Sequence, residues 1–382
     1  MLKLRNLCLF LLAVTIAASG LSCRGIPNQS KINKALERID AALPTMAEQP
    51  WEILLDIHGG GLFAKVRDIS SDNQIDAVAY LTAQAGAQGW SVMRDDMFLP
   101  RILSQARGIT VEQHPNMFLG IMLHAGADPI QQYITTATGE SPELRSFVSS
   151  MLVDLDPRDL SGSQYVPGPD GNAMGWTLLA LADAGLTEAN WEMGPAGRLN
   201  ISNILPLVLD RPLNWGPTAG LDEHFGLARC VYVHRTAQAK DGKNPFDAKL
   251  TGIWTNAAAR LDTVAAAIKK NRRKDNTLDA SWSGAGPRSD APAVRARHTA
   301  RALAILCMTL PDKQLRESWI SDTVSALTDL VTKDFDSVSK DPYAMAYSAH
   351  ALRLYRDRLE NKKPRMPKIC GPEDCPYSRM RP

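Results

Sequence analysis

Two kinds of helical segment alternate along this chain, and the alternation restricts the fold more than any other feature of the sequence. One kind is amphipathic. Trp254, Ala257, Leu261, Val264 and Ile268 mark one face at helical spacing with polar residues between them, and Ile320, Val324, Leu327 and Val331 mark another. The other kind is apolar nearly all round after a polar or ring-bearing start, over 172–186, 223–233, 298–310 and 343–354. A helix without a wet face has to be enclosed by other helices. Fainter pairs precede these, with 75–83 before 117–124 and 144–153 before 172–186.

Loops rich in Gly, Pro and Asp over 167–171, 210–218 and 283–292 separate the helical segments. Sustained two-residue alternation between hairpin turns is scarce, so no sizeable sheet is expected. The expected fold is all-α: an α/α toroid, with an inner ring of enclosed helices covered by an outer ring. An open α-solenoid is the alternative.

Lys3 and Arg5 precede an uncharged apolar run over 7–17, followed by Ala18, Ser19 and Gly20, which predicts a secretory signal peptide over 1–22. The run is too short to cross a hydrocarbon core of about 30 Å. Gly20, Leu21, Ser22 and Cys23 resemble the bacterial lipobox. That resemblance implies that the Cys23 thiol is acylated and that cleavage leaves this residue as the new amino terminus, so the implied partner is a membrane. An ordinary signal peptide in which Cys23 is incidental is the alternative. Acyl chains gain roughly 0.8 kcal/mol per buried methylene, so two or three anchor a protein firmly. The expected organisation is a tether over 23–30, a helical toroid domain over 31–365 and a tail over 366–382.

A composition that is 45% hydrophobic and 22% charged fits a folded body. The 43 basic and 41 acidic residues nearly cancel, and no basic stripe is interleaved with aromatics, which removes the electrostatic footprint of a nucleic-acid binder. The basic run over 269–274 closes a predicted helix, where cations complement the helix dipole.

Cys370 and Cys375 flank Gly371, Pro372, Glu373 and Asp374, a turn-forming segment in which an exported chain is expected to form a local disulfide. Zinc would need two further ligands, and the tail has no His, so no metal or cofactor is expected. Cys230 and Cys307 lie in apolar helical stretches and are expected as buried thiols, with a bridge between them as the alternative.

Loops that carry Trp beside small residues lead into the enclosed helices. They include Gly89 and Trp90; Trp215 and Gly216 ahead of Glu223 and His224; and Ser281, Trp282, Ser283 and Gly284 ahead of His298, Thr299 and Ala300. Asp341, Pro342 and Tyr343 open the last such helix, which contains Tyr347 and His350. Over 75–359 this pattern resembles the helical toroids of the terpenoid cyclase and protein prenyltransferase superfamily. The resemblance implies a toroid but transfers no catalytic residues. The run Asp154, Leu155, Asp156, Pro157 lacks the last carboxylate of the squalene cyclase acid motif. The prenyltransferase zinc set has an Asp two residues before its Cys, whereas Ala228 precedes Cys230 and Glu373 precedes Cys375.

Polar residues at or near the starts of enclosed helices would ring the mouth of a toroid cavity: His114, Asn172, Asp222, Glu223, His224, Arg297, His298, Tyr343 and His350. Such residues commonly cap helices or satisfy buried backbone groups. A convergent set of His, Glu and Arg is also how a ligand or catalytic site is built. His58 stands before Gly59, Gly60 and Gly61, where a turn breaking an early helix is expected, because no strand precedes it to form a phosphate loop and no nucleophile elbow accompanies it. Asp95 and Asp96 are expected in a solvated loop. Two functions fit: an envelope protein whose toroid binds a ligand or partner, and an enzyme acting at the cavity mouth on an isoprenoid-like or glycan substrate.

Overall fold

The segments without a wet face form the centre of the molecule. The computed structural model describes residues 25–43, 50–68, 71–83, 103–106, 109–112, 116–135, 139–155, 173–192, 197–239, 243–371 and 377. In chain order their helices are α1 (Gln29–Ala42), α2 (Pro50–Gly60), α3 (Ala77–Thr82), α4 (Met117–Ala125), α5 (Leu144–Asp154), α6 (Ala173–Asp183), α7 (Ile201–Leu209), α8 (Leu221–Gln238), α9 (Ile253–Asn271), α10 (Pro292–Thr309), α11 (Asp312–Leu315), α12 (Ser318–Lys333), α13 (Phe335–Val338) and α14 (Pro342–Leu359). The fold is all-α, as the alternation of helix types predicts.

Six helices, α2, α4, α6, α8, α10 and α14, pack in a closed circuit. Each contacts the next in chain order, and α14 returns to α2. The amphipathic helices cover them: α9 lies on α8 and α10, α12 on α10 and α14, α7 on α8 and α9, and α1 on α12 and α14. Their buried faces follow the sequence periodicity, with Trp254, Ala257, Leu261, Val264 and Ile268 inward on α9 and Ile320, Val324, Leu327 and Val331 inward on α12.

Glycine sets the tightest crossing in the circuit. A Cβ on Gly226 would stand 2.2 Å from the Gly175 carbonyl oxygen, and one on Gly175 would stand 2.6 Å from the Asp222 carbonyl oxygen. Backbones that close bring α6 and α8 into direct contact and carry Asp183 to Arg229.

Among the described residues three antiparallel pairs decorate the helices: β1 (Lys65–Arg67) with β2 (Gln74–Asp76), β3 (Leu103–Ala106) with β4 (Ile109–Glu112), and β5 (Asn190–Glu192) with β6 (Arg198–Asn200). Strands of three or four residues are too short to show as alternation in the sequence. Proline opens α10 and α14 where a missing N–H costs nothing. Asp341 caps α14 by accepting from the Ala344 amide at 3.0 Å.

After α14 the chain runs as an extended strap over the ends of α4 and α6. Arg365 donates to the Leu123 carbonyl at 2.8 Å, the Cys370 amide donates to the Gly185 carbonyl at 2.9 Å, and the Tyr377 hydroxyl donates to the Ala184 carbonyl at 3.2 Å. Cys230 and Cys307 are separate buried thiols, so the bridge between them does not form. Cys230 donates to the Leu178 carbonyl, and burial pushes the Cys307 thiol up to about 12. Cys23 and Cys375 lie outside the described residues. Among those described, no helix is long and apolar enough to cross a membrane.

Candidate functional site

The inward faces of the six circuit helices carry charge as well as apolar bulk. Helix α2 runs on to Gly60, so the glycine triplet ends it after His58 rather than before, and the His58 side chain is buried inside the circuit. Its ring stacks on His350 of α14 with centroids 4.5 Å apart and lies edge-on to Tyr347 at 5.6 Å and Trp176 at 5.9 Å.

Arg301 of α10, also buried, donates from Nη1 to His58 Nε2 at 3.2 Å and from Nε to Asp222 of α8. Its guanidinium lies 3.8 Å from the Tyr347 ring centroid and 4.5 Å from that of Phe225. The second Asp222 oxygen accepts from Thr218 at 2.8 Å. Guanidinium only donates, so Nε2 of His58 must accept, and a neutral His58 carries its proton on Nδ1.

A second chain of contacts starts at Asp183, the last residue of α6. Arg229 of α8 donates to its Oδ1 from Nη2 at 2.6 Å and from Nε at 3.1 Å, and His124 of α4 donates from Nδ1 to Oδ2 at 2.8 Å. His124 then meets His350, Nε2 to Nε2, at 3.0 Å. Arg229 also donates to the Arg365 carbonyl in the strap. The two chains join at the stacked rings of His58 and His350. One polar line therefore runs from Thr218 through the circuit to the strap.

Burial holds His58 and His350 well below the ordinary histidine range. Each is pushed down further by its histidine neighbours and by Arg301. Burial alone raises the Asp183 carboxyl, but Arg229 and His124 together outweigh it and hold Asp183 well below the carboxylate range. Two guanidinium groups thus face two carboxylates, with the neutral imidazoles of His58 and His350 between. Five buried polar atoms of this cluster lack a hydrogen bond of good geometry: Nδ1 of His58, Nδ1 of His350, Nη1 of Arg229, Nη2 of Arg301 and the Tyr347 hydroxyl, the hydroxyl lying on the side chain that stacks on Arg301 and interacts with it. Buried donors are rarely left unpaired, because each costs about 1–3 kcal/mol.

Of the residues expected to ring a cavity mouth, Asp222 and His350 belong to this line. Glu223 and His224 face the other side of α8. Glu223 accepts from Arg211 at 3.0 Å, and His224 meets the Leu213 carbonyl at 2.9 Å and lies edge-on to Trp282 at 5.8 Å. Burial raises Glu223 to about 7 despite Arg211 and Arg260, and it lowers His224 to about 4. Arg297 pairs with Asp341 at 3.7 Å, His298 donates to the Val294 carbonyl at 2.7 Å, and Tyr343 stacks on Trp51 at 5.8 Å. His114 and Asn172, like Asp95 and Asp96, lie outside the described residues.

Sequence reasoning set His58 aside as part of a turn, left Arg229 out of the candidate site, and missed His124, Asp183 and Arg301. A polar stripe could have found part of the set. Tyr343, Tyr347 and His350 recur at helical spacing on α14, and Asp222 and Arg229 are seven apart on α8, each time within an otherwise apolar helix. Among the described residues, no group of three or more His, Cys, Asp or Glu is placed to hold a metal ion. Comparison with known protein families, with characterised proteins and with solved structures finds no match for this chain.

Proposed function

We propose that this chain is an exported envelope protein, anchored through an acylated Cys23, whose six-helix circuit is the inner ring of an α/α toroid that binds a ligand at its histidine-lined end. The observation that carries the ligand-binding reading is the set of unpartnered nitrogens on His58, His350, Arg229 and Arg301, which come from four helices and belong to one contiguous line. Buried polar groups are usually paired, and here several that are not lie on side chains joined in one run of contacts. His124 and His350 are each partly exposed.

The test is a thermal-shift and NMR screen of the chain lacking residues 1–22 against carboxylates, phosphates, sugars and isoprenoid alcohols. A ligand that stabilises the parent and perturbs the His124 and His350 ring resonances supports the reading, provided that His350→Ala folds and loses the shift. Ligands that bind equally to both proteins would overturn it.

The enzymatic reading rests on a different observation. A buried carboxylate, Asp183, orients His124 through Nδ1, which is the arrangement that prepares an imidazole for general base work at Nε2. In this structure that Nε2 is engaged by His350, so ligand binding has the better support.

A further inference from the structure

We propose that His58, His350, Arg301 and Arg229 form a site for a small oxyanion group, a carboxylate or a phosphate, which binds together with one proton. This deepens the ligand-binding reading above and rests on it.

The sign of the ligand follows from the free valences. The unpartnered atoms here are four nitrogens and the Tyr347 hydroxyl, and three of the nitrogens are donors as the site stands: Nδ1 of His58, Nη1 of Arg229 and Nη2 of Arg301; the hydroxyl can donate as well. Both carboxylates are already engaged at both oxygens, Asp183 by Arg229 and His124, and Asp222 by Arg301 and Thr218. A cation would find only the Tyr347 hydroxyl as a free oxygen, with two guanidinium groups nearby. A neutral sugar would need acceptors as well as donors. An oxyanion needs donors alone, and charge-assisted bonds of this kind are roughly twice as strong as neutral ones.

The proton follows from the pair of imidazoles. Asp183 fixes a proton on Nδ1 of His124, so a neutral His124 accepts at Nε2 from His350, which leaves Nδ1 of His350 bare. An oxyanion beside that atom can be held only if Nδ1 gains a proton. The proton comes from solvent, and the imidazolium charge is shared along the line with His124 and Asp183. No other bond forms or breaks.

The charged and titratable groups facing the two rings come from five of the circuit helices. His124 comes from α4, Asp183 from α6, Asp222 and Arg229 from α8, Arg301 from α10, and Arg353 and Tyr347 from α14. Burial and the cationic neighbours keep His350 neutral while the site is empty. A bound anion supplies the opposite charge and raises its proton affinity. Between the two proton affinities, binding weakens about tenfold for each pH unit of increase.

The experiment is isothermal titration of the chain lacking residues 1–22 with sodium phosphate and, separately, sodium acetate, at about pH 6 and about pH 8. Each titration is run in two buffers of different ionisation heat. Tighter binding at the lower pH is expected, by ten- to a hundredfold, with close to one proton taken up per anion. Phosphate adds its own titration in this range, so the acetate arm assigns the proton to the protein. His350→Gln, checked for native helix content, should bind both anions at least tenfold more weakly, with acetate binding no longer pH-dependent, and His58→Gln provides a second variant if the first fails to fold. Binding of either anion that is unaffected in both folded variants would overturn the proposal, as would acetate binding with no proton uptake. If the screen yields a neutral ligand that perturbs His124 and His350 while neither anion binds, the ligand-binding reading stands and the oxyanion inference falls.

Discussion

The imidazoles of His124 and His350 meet edge to edge, Nε2 to Nε2, at 3.0 Å, and Asp183 fixes which end of His124 is protonated. Asp183 is therefore the origin of the proton order along the line. Its replacement by Asn should remove the charge that balances Arg229 and leave a buried guanidinium unpaired. The expected loss is about 3–5 kcal/mol. Urea unfolding above about pH 5 would show it. A loss below 1 kcal/mol would mean that the pair is not buried as described.

Stability should also fall with acid, in two stages. His58, His350 and His224 have folded values depressed below that of an unfolded histidine, so their contribution is fully present above about pH 6.5 and is lost as pH falls through their folded values. The value of about 4 for His224 places its share between about pH 6.5 and 4. Asp183 is depressed too, and its contribution is lost only below about pH 4. Chemical denaturation across this range should give a stepped profile, and His58→Gln should flatten the upper step.

Glu223 works in the opposite sense. Its folded value is raised to about 7, so its contribution is fully present below the unfolded value near 4.5 and is lost as pH rises through 7. Glu223→Gln keeps an acceptor for Arg211 without the buried charge. The variant should be more stable than the parent by up to roughly 3 kcal/mol at about pH 8, with little difference at about pH 4.5. Unfolding free energies at the two pH values would decide this.

At the α6–α8 crossing, Gly226→Ala puts a methyl 2.2 Å from the Gly175 carbonyl oxygen, where neither backbone can yield without separating Asp183 from Arg229. Overpacking of this kind costs about 1–3 kcal/mol or more. Gly25→Ala, where nothing lies within 4 Å, is the control and should change nothing. A midpoint shift in urea that is equal for the two would contradict the close approach.

The anchor is tested by Cys23→Ser, which should abolish fatty-acid labelling and release the protein from membranes. Asn28 is held to Ser321 of α12 by hydrogen bonds of 2.7 and 3.1 Å, so Cys23 lies only five positions before a residue fixed to the folded body. That stretch reaches roughly 17 Å when extended. An acylated chain would therefore hold the domain close against its membrane, and labelling that persists in the Ser variant would sink the anchor.

The helices were legible because burial leaves a mark on each one alone. An enclosed helix has no polar face, and a covering helix has one, so α9 and α12 could be read down to the buried residue. The closure of α14 onto α2 leaves no such mark, since it depends on residues almost three hundred positions apart. The site was half legible for the same reason. Asp222 and His350 stand out as polar groups in apolar helices, but Asp183 and Arg229 acquire meaning only as partners 46 residues apart. His58 was hidden by the glycines after it, which suggest a turn although the helix runs through the histidine first.

The closed circuit also constrains how the protein can be made. Arg353 of α14 bonds to the Gly59 carbonyl at the end of α2, a contact that spans 294 residues. Until α14 has been synthesised, α2 lacks a neighbour on that side, and its apolar surface stays open to water and to other chains. Closing so long a loop costs entropy before any contact rewards it, and chains dominated by distant contacts fold slowly. A nascent chain of this kind stays an unsealed arc that is prone to aggregate until its last helix is made. Its yield in a cell should therefore depend on chaperones that bind such an arc more than on the stability of the finished molecule.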